Sequence, residues 1–242
     1  MEAYTLYPLA SLIALAAYFV RGIAGFGSAL VAAPLLAQML PLSIVVPLVV
    51  ILDNSGSIVQ AWRHRRLIVW DDLRPLLPFS FVGIALAMLL HASLDGHLLK
   101  RLLGLFVLLF GAYQFLPQPA VHLSRRWAAP AGLLGGLVGG LFGTGGPFYV
   151  MYFRLRQLEK TVFLATIAML WVVDGGLRIA GFALGGHYRA EHLRLLAAMA
   201  PAAWLGLHWG QKVHVGITPR AFRHIIGALL LASGGLLLWR ES

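Results

Sequence analysis

The sequence predicts an all-α integral membrane protein. We expect a polytopic helical bundle of two inverted repeats with broken or re-entrant helices, and about 8–10 membrane segments at up to ~20 residues each. Three observations carry this: the composition, a ladder of apolar stretches, and an internal repeat whose basic loops change places. Of 242 residues, 60% are hydrophobic and 12% charged, and the mean hydropathy is +0.81. An average soluble domain is roughly 45–50% apolar and about 25% charged. A chain of this size cannot hide that excess in a core and keep a dispersible surface, and it is far too apolar for a solvated coil.

In chain order the apolar stretches fall at about 5–21, 28–40, 42–62, 75–91, 98–116, 127–143, 146–153, 161–184, 195–210 and 221–239. Eight are long enough to be read as full spans. The stretches 28–40 and 146–153 are too short to cross alone, and each follows a glycine cluster, as a half-helix or part of a broken span does. Trp62, Trp70, Trp127, Trp209 and Trp239 lie near span ends, where an aromatic belt belongs. Met1 to Ala10 has no basic region, so no cleavable signal is expected.

The repeat is visible in the order of glycines and prolines. Pro78, Gly83, Gly104 and Gly111 recur as Pro201, Gly206, Gly227 and Gly234, and Gly22, Gly25 and Gly27 recur as Gly140, Gly143 and Gly145. Asp53 maps onto Asp174 and Leu73-Arg74 onto Leu193-Arg194. The expected organisation is a first transmembrane repeat over 1–117, an inter-repeat cytoplasmic loop over 118–126 and a second repeat over 127–242. Arg63 to Arg74 is strongly basic, and its counterpart near His187 to Arg194 is weaker. The next loop shows the reverse: 92–97 lacks Lys and Arg, while 211–220 holds Lys212 and Arg220. Two halves inserted in opposite senses produce that exchange. Placing Arg63–Arg74, Arg125-Arg126, Arg154–Lys160 and Lys212–Arg220 inside leaves both termini outside.

The 19 Lys and Arg against 9 Asp and Glu give a formal charge of +10. Because these residues sit in short loops between apolar runs, they report topology and not a nucleic-acid partner. With no cysteine, disulfides, thiolate catalysis and Cys-held metals are excluded. The nine histidines show no metal-ligand spacing, so neither metal nor cofactor is expected.

The sharpest local feature is Gly139 to Pro147, Gly-Gly-Leu-Phe-Gly-Thr-Gly-Gly-Pro. Gly132, Gly136 and Gly140, with Gly135, Gly139 and Gly143, form ladders that suit helix packing. Over Gly143, Thr144, Gly145, Gly146 and Pro147 the helix is expected to break, presenting backbone N–H groups and a helix dipole to an anion. Gly25, Gly27 and Ser28 are the first-half counterpart. Tyr149, Trp171 and Asn54 are further candidates to line a substrate cavity, with core packing an equal reading for the two aromatics. Arg178 offers a planar fork to a carboxylate or sulfonate, or else pairs with Asp174 one turn earlier. Asp53 and Asp174, ionisable at membrane depth, are the candidates for a coupling proton.

The order of these parts resembles the sulfite exporter TauE/SafE family of bacterial permeases over nearly the whole chain. The likeness rests on Gly22-Ile23-Ala24-Gly25-Phe26-Gly27 ahead of Pro34, and on Asp53-Asn54 before the loop ending Trp70-Asp71-Asp72-Leu73-Arg74. Leu99 to Gly104 and Gly140 to Pro147 complete it. The resemblance implies a secondary carrier of small sulfur-containing or organic anions in the bacterial inner membrane, such as sulfite, taurine or sulfoacetate. One departure is Ser28-Ala29 after Gly27, where the family usually has a denser glycine run; Ala29 would restrict a close approach there. A carboxylate or phosphonate carrier, an intramembrane aspartyl protease built on Asp53 and Asp174, and a structural subunit are the competing readings. Membrane lipid is the expected surroundings, and the small-residue faces suit a homodimer.

Overall fold

The computed structural model describes residues 3–117, 124–212 and 219–241, and among these it is helical throughout, with no strand. In order the helices are α1 (Ala3–Ala24), α2 (Ser28–Leu36), α3 (Leu42–Arg63), the single turn α4 (Trp70–Leu73), α5 (Leu77–Ser93) and α6 (Gly96–Tyr113). They continue with α7 (Ala128–Phe142), α8 (Gly146–Leu155), α9 (Lys160–Leu184), α10 (Ala190–Lys212) and α11 (Pro219–Glu241). Residues 118–123 of the expected inter-repeat loop, and 213–218 of the basic loop Lys212–Arg220, lie outside the described residues. Each expected apolar stretch has a helix on it, and the two short ones are α2 and α8. Among the described residues, four helices are both long and apolar enough to cross a bilayer: Thr5–Ala24, Leu42–Arg63, Gly96–Tyr113 and Lys160–Leu184. Leu77–Ser93 is apolar but shorter. Length and composition explain the difference, since α7 has only 15 residues and α10 and α11 carry Glu191, Arg194, Arg220 and Arg223. Local chemistry sets the ends. Asp95 caps α6 by accepting from the His97 N–H at 3.0 Å, and Pro147 occupies the first turn of α8, where a missing N–H costs nothing.

The chain forms two compact units, each drawn from both halves of the sequence. One holds Met1–Val45, Leu94–Gln118 and Ala190–Ser242; the other holds Val46–Ser93 and Pro119–Arg189. In the first unit α1 packs along α10. Their backbones approach so closely that a Cβ on Gly22 would lie 2.6 Å from the Leu207 carbonyl oxygen and 2.7 Å from the Gly210 Cα. A Cβ on Gly206 would overlap the Leu15 carbonyl and lie 3.0 Å from the Phe19 nitrogen. In the second unit α7 packs along α5 in the same way. There Gly140 meets Ile84 and Ala87, and Gly83 meets the Leu133 carbonyl and the Leu137 nitrogen.

These two contact sets correspond residue by residue. Adding 118 to Leu15, Phe19 and Gly22 gives Leu133, Leu137 and Gly140, and adding 123 to Gly83, Ile84 and Ala87 gives Gly206, Leu207 and Gly210. A third pairing, α6 with α11 in the first unit, maps onto itself. Gly104 meets Gly234 and Gly111 meets Gly227, with a Cβ on each lying 3.0–3.4 Å from the partner's carbonyl oxygen. As the residue number rises along α6 it falls along α11, so these two helices run antiparallel.

Candidate functional site

Within the second unit, α7 stops at Phe142 because Gly143 takes the left-handed conformation, φ +74°, and its N–H closes the last turn on the Gly139 carbonyl at 2.9 Å. Gly25 does the same after α1, with φ +80° and a 2.7 Å bond to the Arg21 carbonyl, 118 residues earlier. Past the second break, Gly145 touches the Gly135 backbone so closely that a Cβ there would fall on its carbonyl oxygen. Thr144 is 2% exposed, and its hydroxyl has no hydrogen-bond partner among the described residues. The N–H groups of Thr144, Gly145 and Gly146 likewise donate to no turn or cap carbonyl among those residues. A buried hydroxyl and a run of backbone donors therefore meet at the positive end of α8, a ready place for an anion.

Beside this break stands a buried polar network. Arg178 and Asp174, one turn apart on α9, form an ion pair through Nη2 and Oδ2. The other carboxylate oxygen accepts from Tyr149 Oη at 2.8 Å and from Ser80 Oγ at 2.5 Å, and these two hydroxyls also lie 2.8 Å apart. Arg178 Nη1 donates to the Gly139 carbonyl at 3.0 Å. The guanidinium thus sits on the negative end of α7. Tyr149, fully buried, fills the space that Gly135 leaves empty. Outside the helices, burial pushes the Tyr188 phenol up to about 12, with the charge of Arg178 opposing.

The structure brings Gly143, Thr144, Gly145, Gly146, Tyr149, Asp174 and Arg178 together around one break. Trp171 joins them, with its ring 3.9 Å from where a Gly146 Cβ would lie. Asn54 is used differently. Its Nδ2 donates to the Trp171 and Val172 carbonyls, both at 3.2 Å, and fastens α3 to α9 where Gly175 gives it room. Asp53 is half-buried on α3. Gly25, Gly27 and Ser28 form the break before α2 in the first unit, where Gly27 has φ +99° and Ser28 is buried. Two participants went unnoticed in the sequence, Ser80 and the Gly139 carbonyl. Ser80 had a signal, being on the small-residue face of α5 that also holds Gly83 and Ala87; the carbonyl had none.

A model of the family described as sulfite exporter TauE/SafE matches residues 10–237. The chain belongs to the TauE/SafE family. It is 31% identical over 201 residues to a probable inner membrane transporter protein, TsaS, of Comamonas testosteroni, covering 80% of this chain and 83% of that one. A probable sulfite/organosulfonate exporter, TauE, of Cupriavidus necator is 24% identical over 252 residues, covering 98% of this chain and 96% of that protein. No solved structure matches. As a TauE/SafE member the chain is a multi-pass transporter of the bacterial inner membrane and not an enzyme. The protease reading falls with that membership, and the Asp174 oxygens accept from Arg178, Tyr149 and Ser80, the opposite of two carboxylates sharing a proton.

Proposed function

We propose that this TauE/SafE member carries sulfite or a small organosulfonate, bound at the N-terminus of α8, by alternating access between inverted repeats. The observation that carries the reading is the buried Thr144 hydroxyl without a partner, set among backbone N–H groups beside Arg178. The printed function of the Cupriavidus relative supports the substrate class. Matching registers in α1–α10 and α7–α5 support a repeat spanning the two halves. The antiparallel course of α6 and α11 supports their opposite insertion. Exposed apolar side chains such as Leu109, Leu184, Trp204 and Trp239 suit contact with lipid. Gly132, Gly136 and Gly140 of α7 pack against α5, and Gly135 packs against Tyr149, which supports a packing role for these glycines inside the chain.

In this reading Asp174 fixes Arg178 toward the break, and Asp53 is the residue that takes the coupling proton. Counterflow of labelled sulfite, taurine and sulfoacetate in proteoliposomes tests the proposal. Wild type is expected to exchange at least one of them. Thr144→Val is expected to raise the half-saturating concentration about tenfold, the equivalent of one hydrogen bond to a charged ligand at ~1.5 kcal/mol. Asp53→Asn is expected to keep counterflow and lose uptake driven by an imposed pH gradient; unchanged gradient-driven uptake removes Asp53 from coupling. If all three anions fail in well-inserted protein while a carboxylate or phosphonate exchanges, the sulfur-anion assignment is wrong.

A further inference from the structure

A second buried charge cluster lies in the same unit, at the other end of α8. Asp72, on the single turn α4, is 1% exposed. Its Oδ1 accepts from two guanidinium groups at once, Arg125 Nε at 3.0 Å and Arg156 Nε at 3.2 Å. Arg156 is the C-cap of α8, and Arg125 opens the 3₁₀ turn ahead of α7. Immediately after Arg156, Gln157 turns the chain with φ +56°, the one positive φ outside glycine among the described residues. This left-handed turn closes the end of α8, with the Gln157 N–H on the Arg154 carbonyl at 2.9 Å. The Asp72–Arg156 pair ties the C-terminal end of this ten-residue helix to α4. Such a helix is a rod about 15 Å long, so fixing one end fixes where the N–H groups at the other end point.

We propose that Asp72 is a positioning residue for anion binding, clamping α8 through Arg156 so that its N-terminus holds the geometry a substrate needs. The inference rests on the anion site proposed at that N-terminus. Its test has a sign that separates positioning from charge. Removing a carboxylate favours an anion through space, so Asp72→Asn tightens binding if charge alone acts. Loss of positioning weakens it. The measurement is the sulfite, taurine or sulfoacetate concentration giving half-maximal thermal stabilisation of the purified full chain.

Asp72→Asn is expected to need at least tenfold more anion, and Asp72→Glu to stay within about threefold of wild type. Arg156→Lys keeps every charge and alters only the fork geometry. It is expected to weaken binding severalfold, and it carries the test should Asp72→Asn fail to fold. Binding that is unchanged or tighter in Asp72→Asn, or unchanged in Arg156→Lys when that variant must serve, makes the cluster purely structural and overturns the proposal. If wild type itself is stabilised by none of the three anions, the site at α8 falls and this inference falls with it. The first outcome leaves that site standing, so the two failures are distinguishable.

Discussion

Arg178→Ala is expected to abolish transport and to destabilise the protein by about 3–5 kcal/mol, because it strands the Asp174 carboxylate in a buried site. The loss comes from what remains as much as from what is removed. Ser80 and Tyr149 still donate to Asp174, but its charged partner is gone and the Gly139 carbonyl loses a donor. The double variant Asp174→Asn/Arg178→Gln removes both charges together, and it is expected to recover most of the stability while transport stays lost. Thermal unfolding in detergent beside counterflow in proteoliposomes separates these effects. Flux at wild-type level in a folded double variant would reduce the pair to a packing element of α9.

Gly83→Ala and Gly206→Ala carry the second large effect, each expected to cost about 1–3 kcal/mol. In both, the new methyl meets a backbone carbonyl, of Leu133 on α7 or of Leu15 on α1, and no side chain can swing aside to admit it. Their matching backbone contacts make the stronger expectation: the two losses are of similar size. Gly235→Ala is the control. Nothing lies within 4 Å of its would-be Cβ, so relief of helix-interior glycine is expected to leave stability unchanged or raised by up to ~1 kcal/mol. Unfolding midpoints of the three variants give the comparison directly. A large penalty at one equivalent position and none at the other contradicts matched packing in the two halves.

The helices and both breaks were legible because each has a local cause. Apolar runs bounded by charged loops give the helices, and Gly25 and Gly143 announce left-handed turns that other residues resist. The close helix contacts were legible for a related reason: they admit only glycine, so Gly83, Gly206, Gly104 and Gly227 mark them in the sequence. The span count was less so, since Glu191, Arg194, Arg220 and Arg223 lower the apolar character of α10 and α11 below that of their neighbours.

The polar site was half legible. Asp174 and Arg178 are one turn apart, and their pairing follows from helix geometry alone. That Ser80 and Tyr149 converge on the same carboxylate depends on how α5 and α8 pack, 94 and 25 residues away in sequence. Asn54 shows the same limit. A polar residue beside Asp53 reads as a substrate ligand, and only the packing of α3 on α9 shows that its amide nitrogen donates to two α9 carbonyls. The Asp72 cluster was hidden by a sound rule, because loop arginines read as topology signals and Arg125 and Arg156 are also clamp partners.

Anomalous diffraction from crystals soaked in selenite, the heavier congener of sulfite, tests the location of the anion most directly. The selenium peak is expected beside the N-terminus of α8, with an oxygen within about 3 Å of Thr144 Oγ1 and of a backbone nitrogen at Gly145 or Gly146. It is expected to vanish in Thr144→Val crystals at low selenite. A peak elsewhere that persists in Thr144→Val, with nothing bound at the Gly143–Gly146 break, would contradict the assignment.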